Sequence, residues 1–205
     1  MSILADKLVI VPGILIGLSF HEFAHALMAY WMGDDTARRQ GRMSVAPHTH
    51  IDPVGFLMLM LVGFGWARPV PIDERNFRNR NLGLFLVSIA GILMNLILAT
   101  LFFIILHFTS DAVGLDAYDR VMGAAVMINI GLACFNLIPL PPLDGSKILY
   151  SFLSPKWRYK MYEYEQYSRI LLIVLLVTGG VGYLMYPIQR VIIGMMDAVL
   201  GFILG

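Results

Sequence analysis

The chain has 205 residues and a formal net charge of +1, with 58% hydrophobic and only 14% charged residues. Soluble domains carry about 25% charged residues, so this composition excludes an ordinary soluble domain, and the near-neutral charge gives nucleic acid nothing to hold. The single cysteine, Cys134, excludes an intramolecular disulfide framework and a Cys-rich metal site, so any metal must use His, Asp or Glu.

A membrane-spanning helix needs about 20 mostly apolar residues. Residues 8–32 form the first such run, interrupted only by His21, Glu22 and His25. With no basic leader beyond Lys7, it does not read as a cleavable signal peptide. Residues 53–67 are apolar but short, and contain Gly55, Gly63 and Gly65. Apolar and polar residues alternate in Ala67-Arg68-Pro69-Val70-Pro71-Ile72, whose prolines suit an edge strand. This region is expected to form a membrane-dipping loop with a β-hairpin, tolerated at that depth only where protein or water covers the backbone.

Residues 82–106 and 121–143 carry no charge and give the second and third spans. Cys134 lies in the latter run and reads as a small packing residue. Residues 170–189 give a fourth candidate. Residues 188–205 contain Arg190 and Asp197 and read as a helix that spans or lies in the interface. The expected fold is an all-α polytopic membrane protein. It has four to five transmembrane helices and a β-hairpin or re-entrant loop after the first. Residues 1–205 read as one membrane domain, with a core over 8–153 and C-terminal helices over 168–205.

Basic residues set the orientation of such a chain. Arg38, Arg39, Arg42, Arg68, Arg75, Arg78 and Arg80 follow the first span. The next connection carries Asp111, Asp116 and Asp119 beside Arg120, and the one after it Lys147, Lys156, Arg158, Lys160 and Arg169. This alternation places the first and third connections in the cytoplasm and the N-terminus outside. Trp157, Tyr159, Tyr162, Tyr164 and Tyr167 crowd among the last basic residues and suggest an interfacial anchor.

The residues that carry chemistry begin with His21-Glu22-Phe23-Ala24-His25. On a helix, positions four apart share a face, so both imidazoles can reach one ion. A carboxylate beside them can take a proton from water activated by that ion. Burying two His and a Glu in a span is costly, which marks them as functional. A catalytic zinc takes three protein ligands, and Asp144 is the candidate third. It ends Asn136-Leu137-Ile138-Pro139-Leu140-Pro141-Pro142-Leu143-Asp144-Gly145, where prolines break the helix beside a polar residue. Capping the helix that follows is the alternative role for Asp144. Both ligand-bearing spans run outside to inside, with these residues towards the cytoplasmic end, so their depths agree. His48 and His50, spaced for one face of a strand, are rival ligands, and His107 reads as an interfacial residue. Similar ligands also accept iron or cobalt.

Taken in order, these landmarks resemble the site-2 protease family of intramembrane metalloproteases. The resemblance rests on Phe20-His21-Glu22-Phe23-Ala24-His25-Ala26 and on Asn136 through Gly145. It also rests on His50-Ile51-Asp52-Pro53-Val54-Gly55 and on Gly65-Trp66-Ala67-Arg68-Pro69-Val70-Pro71-Ile72 with Asn76-Phe77-Arg78. It implies one zinc per chain held by His21, His25 and Asp144, with Glu22 as catalytic base. Asn136 matches a position implied to hold substrate or stabilise the oxyanion; bonding the broken helix backbone is its other role. The activity implied is peptide hydrolysis within or beside a transmembrane segment of a membrane-protein substrate, as in regulated intramembrane proteolysis. The lipid bilayer is the other partner, and no nucleic acid is expected. His50 falls in a pattern implied to be structural or gating. Two positions depart from the family. Ala90-Gly91-Ile92-Leu93-Met94-Asn95 lacks a common Gly-Pro, leaving Asn95 to bond between helices, and Ala46 replaces a common Asn. With no room for PDZ or nucleotide-sensing domains, the chain resembles the short bacterial type, in the cytoplasmic membrane with its site towards the cytoplasm. Rival readings are a membrane metal transporter or sensor, and an inactive relative that binds membrane helices.

Overall fold

A computed structural model of the chain describes residues 3–62 and 65–204. Three long helices make its centre: α1 (Ile3–Met32), α5 (Arg80–Val113) and α6 (Asp116–Leu137), each packed against the other two. Between α1 and α5 lie the short α2 (Thr36–Arg39) and α3 (Pro47–His50), the longer α4 (Pro53–Val62) and one 3-10 turn, Glu74–Asn76. After α6 come α7 (Asp144–Ser151), α8 (Pro155–Glu163), α9 (Glu165–Val177) and α10 (Gly180–Leu204). Among the described residues, Lys7–Met32, Arg80–Val113 and Asp116–Leu137 are long and apolar enough to cross a membrane.

The distribution of side chains is the reverse of a soluble protein. Ser19, His21, Glu22, His25, Ser88, Asn95, Asn129 and Asp144 are buried, whereas Leu93, Ile97, Leu101, Ile105, Leu171 and Ile173 are exposed. Soluble proteins rarely bury such groups; a chain surrounded by lipid must turn them inward. Helix contact then depends on close backbone approach. Gly13 and Gly17 provide it between α1 and α6: a Cβ would meet Ala125 Cα at 2.8 Å in the first case and Asn129 Oδ1 at 2.9 Å in the second. Cys134 is fully buried with Ala99, Val126, Ile130 and Ile192, a packing residue as expected.

The helix ends follow from local chemistry. Asn79 caps α5 by accepting from the Leu82 N–H at 3.1 Å, and Gly114 ends it in the left-handed conformation at φ 58°. The helix therefore outruns the charge-free segment at both ends. α6 stops at Leu137 because Pro139, Pro141 and Pro142 cannot continue it. Gly145 lets the chain fold back there, since a Cβ would lie 2.4 Å from the Leu137 carbonyl.

The β-hairpin expected after the first span does not form. Among the described residues there is no strand, only one isolated antiparallel bridge between Ile51 and Ala67. Residues 53–62 are instead the helix α4; Gly63 and Phe64, part of the same expectation, lie outside the described residues. Asp52 caps this helix, its Oδ1 accepting from the Gly55 N–H at 2.8 Å, with Pro53 as the first helical residue. A helix satisfies its own backbone in an apolar setting, which a lone hairpin cannot do. The glycines serve a different purpose from the one read in the sequence. A Cβ on Gly55 would sit 2.2 Å from the Trp66 carbonyl oxygen, so glycine permits the returning chain to cross α4.

The count of spans also needs correction. Three helices qualify, or four if α9 and α10 act as one broken span, against the expected four to five. The pair bends by 86°, at Gly179, which has φ 76°. The fourth expected span, 170–189, therefore runs across a bend, and Pro187 lies inside α10 rather than ending it. Of the last expected helix, Gly205 lies outside the described residues. The aromatic cluster divides: Trp157, Tyr159, Tyr164 and Tyr167 are exposed, while Arg158 is buried and donates to the Tyr150 carbonyl at 3.1 Å.

The loop after α1 is held by Asp34, which is fully buried. It accepts from the side chains of Thr36 and Asn76 and from the N–H groups of Thr36 and Asp73. Burial pushes its pKa up, but these hydrogen bonds outweigh that and hold the carboxyl below its ordinary value of 3.8. A depressed pKa stabilises the fold above that value and loses the contribution as the pH falls through the folded-state value. Asp34→Ala is expected to cost about 2–3 kcal/mol at neutral pH. Thermal unfolding in detergent should show the gap between variant and wild type shrinking below pH 4. A gap that stays constant with pH would show the carboxylate charge to be irrelevant.

Candidate metal centre

His21, Glu22 and His25 all lie on α1 and are buried where it meets α5 and α6. Asp144 reaches them from the first turn of α7. Its Oδ2 lies 3.2 Å from His21 Nε2 and 3.1 Å from His25 Nε2, and the two Nε2 atoms are 2.9 Å apart. Among the described residues this trio is the one His, Cys, Asp and Glu cluster whose geometry could hold a metal ion.

The other ring nitrogens decide the protonation. His25 Nδ1 faces the Val87 carbonyl oxygen at 2.7 Å, so it must donate. His21 Nδ1 faces Asn95 Oδ1 at 2.7 Å. The Asn95 amide cannot be turned the other way, because its Nδ2 donates to the Gly17 carbonyl at 3.1 Å and to Asn129 Oδ1 at 3.0 Å. Asn129 is fixed in turn by donating to the Ala125 carbonyl at 2.9 Å. Each histidine thus carries its proton on Nδ1 and presents a bare lone pair at Nε2. Two lone pairs and a carboxylate oxygen meet with no donor among them, and Asp144 Oδ2 is buried without a hydrogen-bond partner. A bound cation reconciles the three. Zinc bonds of ~2.0–2.1 Å in a tetrahedron place ligands roughly 3.3 Å apart, close to the separations found. The donor set therefore fits a zinc ion.

Glu22 is outside this trio. Its Oε2 accepts from the Val70 N–H at 2.8 Å, which ties it to the extended segment before the 3-10 turn. A cavity of about 140 Å³ opens between them, lined by Glu22, Ser88, Asn136, Asp144 and Val70 among others. Asn136 borders the cavity while donating to the Leu132 carbonyl of its own helix at 3.0 Å, which is the alternative role read for it. Gly91 packs against the histidines themselves: a Cβ there would be 2.6 Å from both His21 Cε1 and His25 Nε2.

The rival ligands are elsewhere. His48 is exposed. His50 is buried in α3, not on a strand, and bonds the Ser44 carbonyl through Nε2 at 2.6 Å. His107 stacks on Phe103 in α5. The extended segment 68–71 has no backbone N–H left to offer a pairing chain: the Arg68 N–H goes to the His50 carbonyl, that of Val70 goes to Glu22, and Pro69 and Pro71 have none.

The profile of Peptidase family M50 matches residues 111–179, a stretch that contains Asp144. The Bacillus subtilis (strain 168) protein named "Putative zinc metalloprotease YwhC" is 40% identical over 187 residues, covering 87% of this chain and 84% of its own. The chain belongs to peptidase family M50. Two proteins named "Putative zinc metalloprotease Rip2" are similar to this M50 peptidase. That of Mycobacterium tuberculosis (strain ATCC 25618 / H37Rv) is 27% identical over 81% of the chain and 65% of its own. That of Mycolicibacterium smegmatis is 26% identical over 87% and 70%. No solved structure matches. The resemblance to site-2 proteases read in the sequence is therefore correct. Family membership and the apolar helices together describe an integral membrane metalloprotease.

Asn95, Asn129, Ser88 and Gly91 complete the surroundings of the cluster. Asn95 was read as an interhelical bond, and it is one, but it also sets a histidine tautomer. Asn129 and Asn136 are the two amide side chains in the apolar run 121–143, which was the available signal for Asn129.

Proposed function

We propose that this M50 peptidase is an intramembrane zinc protease that cuts within or beside transmembrane segments of membrane-protein substrates. The observation that carries the reading is the convergence of His21, His25 and Asp144 beside Glu22 on a spanning helix. The three would hold one zinc per chain, in line with the names of the relatives as zinc metalloproteases. When bound, zinc supplies Lewis acidity, polarising the scissile carbonyl and lowering the pKa of water. Glu22, fixed by the Val70 N–H, accepts the proton from the attacking water and returns it to the leaving amine. Asn136 has a second amide proton for the developing oxyanion. Segment 68–71 can offer an extended substrate only carbonyl acceptors, because its donors are committed. The basic residues that follow α1 and α6 support a site towards the cytoplasm with the N-terminus outside, and the bacterial relatives support a bacterial membrane.

The test compares membrane proteins in cells carrying wild type and Glu22→Gln. Uncut substrates that accumulate only with the variant support regulated intramembrane proteolysis. Identical membrane proteomes, in cells where wild type is expressed, would refute it.

A second expectation concerns the metal. Carbonyl partners that orient histidine ligands typically contribute 10–100-fold in affinity. Asn95→Leu removes the acceptor for His21 and should weaken zinc binding by about that factor. A competition titration with a zinc chelator measures it, and unchanged affinity would remove His21 or Asn95 from the scheme.

A further inference from the structure

Beside the polar cavity lies a second one of about 130 Å³ whose lining is apolar. Ile14 and Leu18 of α1, Leu132 of α6, Phe56 and Leu59 of α4, and Ala67 of the returning chain form its walls. The two cavities share no lining residue, but α1, α6 and the returning chain contribute to both. Leu18 precedes His21 and Glu22 by one turn of α1, and Leu132 precedes Asn136 by one turn of α6. Ala67 leads through Arg68 and Pro69 to Val70, which binds Glu22. One helical turn advances ~5.4 Å, whereas an extended chain advances about 3.3 Å per residue. Along the helices the apolar cavity is therefore about two residues of an extended substrate from Glu22, and along the returning chain about three.

The size is informative. A dry cavity of ~150 Å³ lined by aliphatic and aromatic side chains accepts a benzene ring; this one falls just below that. It suits Leu, Met or Phe and leaves Ala poorly packed. Nor is the space slack left by loose packing. Its outer wall is locked where Gly65 crosses α4, since a Cβ on Gly65 would lie 2.1 Å from the Gly55 carbonyl oxygen. The far end of α4 is held by Lys7, whose ammonium donates to the Met60 carbonyl and, at 3.3 Å, to that of Leu61. Close contacts thus shape this hollow beside the reacting groups.

We propose that this cavity is the subsite that selects a large apolar substrate side chain two or three positions from the cleaved bond. The inference rests on the protease reading above. It adds a size rule that the metal cluster does not impose.

The experiment uses full-length protein in detergent and apolar peptides of about 20 residues. Positions on both sides of the cut, mapped by mass spectrometry, are varied among Ala, Val, Leu and Phe. At one position wild type should prefer Leu or Phe to Ala by about tenfold or more in kcat/KM, the range set by a methylene or more in an apolar pocket. Phe56→Ala enlarges the cavity and should shift the preference towards Phe. Leu59→Trp fills it and should reverse the preference towards Ala by a similar factor. Both substitutions are on α4, away from the packing of α1, α5 and α6. A flat wild-type preference overturns the subsite. So does an equal loss on every peptide in both variants, which marks a merely structural wall. Wild type that cuts no peptide, in a preparation shown to hold zinc, overturns the protease reading and the subsite with it.

Discussion

Purified Glu22→Gln protein should keep its zinc and lose about 10²–10⁴-fold in cleavage rate, the usual worth of a positioned general base. The substitution is nearly isosteric. A Gln carbonyl can still accept from the Val70 N–H, so the contact that now holds Oε2 at 2.8 Å survives. What is lost is the capacity to take a proton. His21, His25 and Asp144 are untouched, since Glu22 is not among the three converging ligand atoms. Zinc content by elemental analysis and kcat on a transmembrane peptide therefore separate the two roles. Full metal with unchanged kcat would remove Glu22 from the chemistry. Loss of metal together with rate would instead make Glu22 a support for the ligands.

Gly91→Ala sets two effects of opposite sign against each other. In a helix interior, alanine is favoured over glycine by about 1 kcal/mol, so α5 itself should be slightly more stable. At this position the new methyl would meet His21 Cε1 and His25 Nε2 at 2.6 Å and His21 Nδ1 at 2.7 Å. Real Cβ atoms do not approach that closely, and the neighbours are aromatic rings already fixed by Asn95 and Val87. The rings must turn away from the ion. Zinc affinity and cleavage should both fall by at least the ~10–100-fold seen when ligand orientation is lost. The thermal midpoint of the zinc-free protein should fall, since overpacking and the broken ring hydrogen bonds cost about 1–3 kcal/mol each, more than the helix gains. A variant that binds zinc as tightly as wild type would show that Gly91 is not a wall of the site.

Much of the site is legible in the sequence because two histidines at helical spacing and a carboxylate after three prolines are conspicuous in an apolar chain. Charge in such a run demands a reason, and both signals are local. Asn129 and Gly91 carry no such demand. A neutral amide can be satisfied by its own helix, and a glycine can mean almost anything, until a neighbouring helix shows what presses against it. Residues 53–62 show the opposite failure. Their glycines argued for irregular or β structure on local propensity, but in an apolar surrounding the backbone must satisfy itself, and Asp52 with Pro53 starts a helix that does so. The expected span over 170–189 is not one straight helix, because the chain bends at Gly179, a glycine that an apolar run does not single out; α9 and α10 qualify together only as a broken span.

The fixed polarity that runs from the Ala125 carbonyl through two amides to an imidazole bears on how this enzyme matures. Many small zinc domains acquire their shape only as the ion arrives. Here hydrogen bonds from α5 aim both imidazoles, so the shape of the site is held by helix packing as well as by its ligands. On the reading proposed above, removing zinc with a chelator should therefore leave the helix packing around the two rings in place.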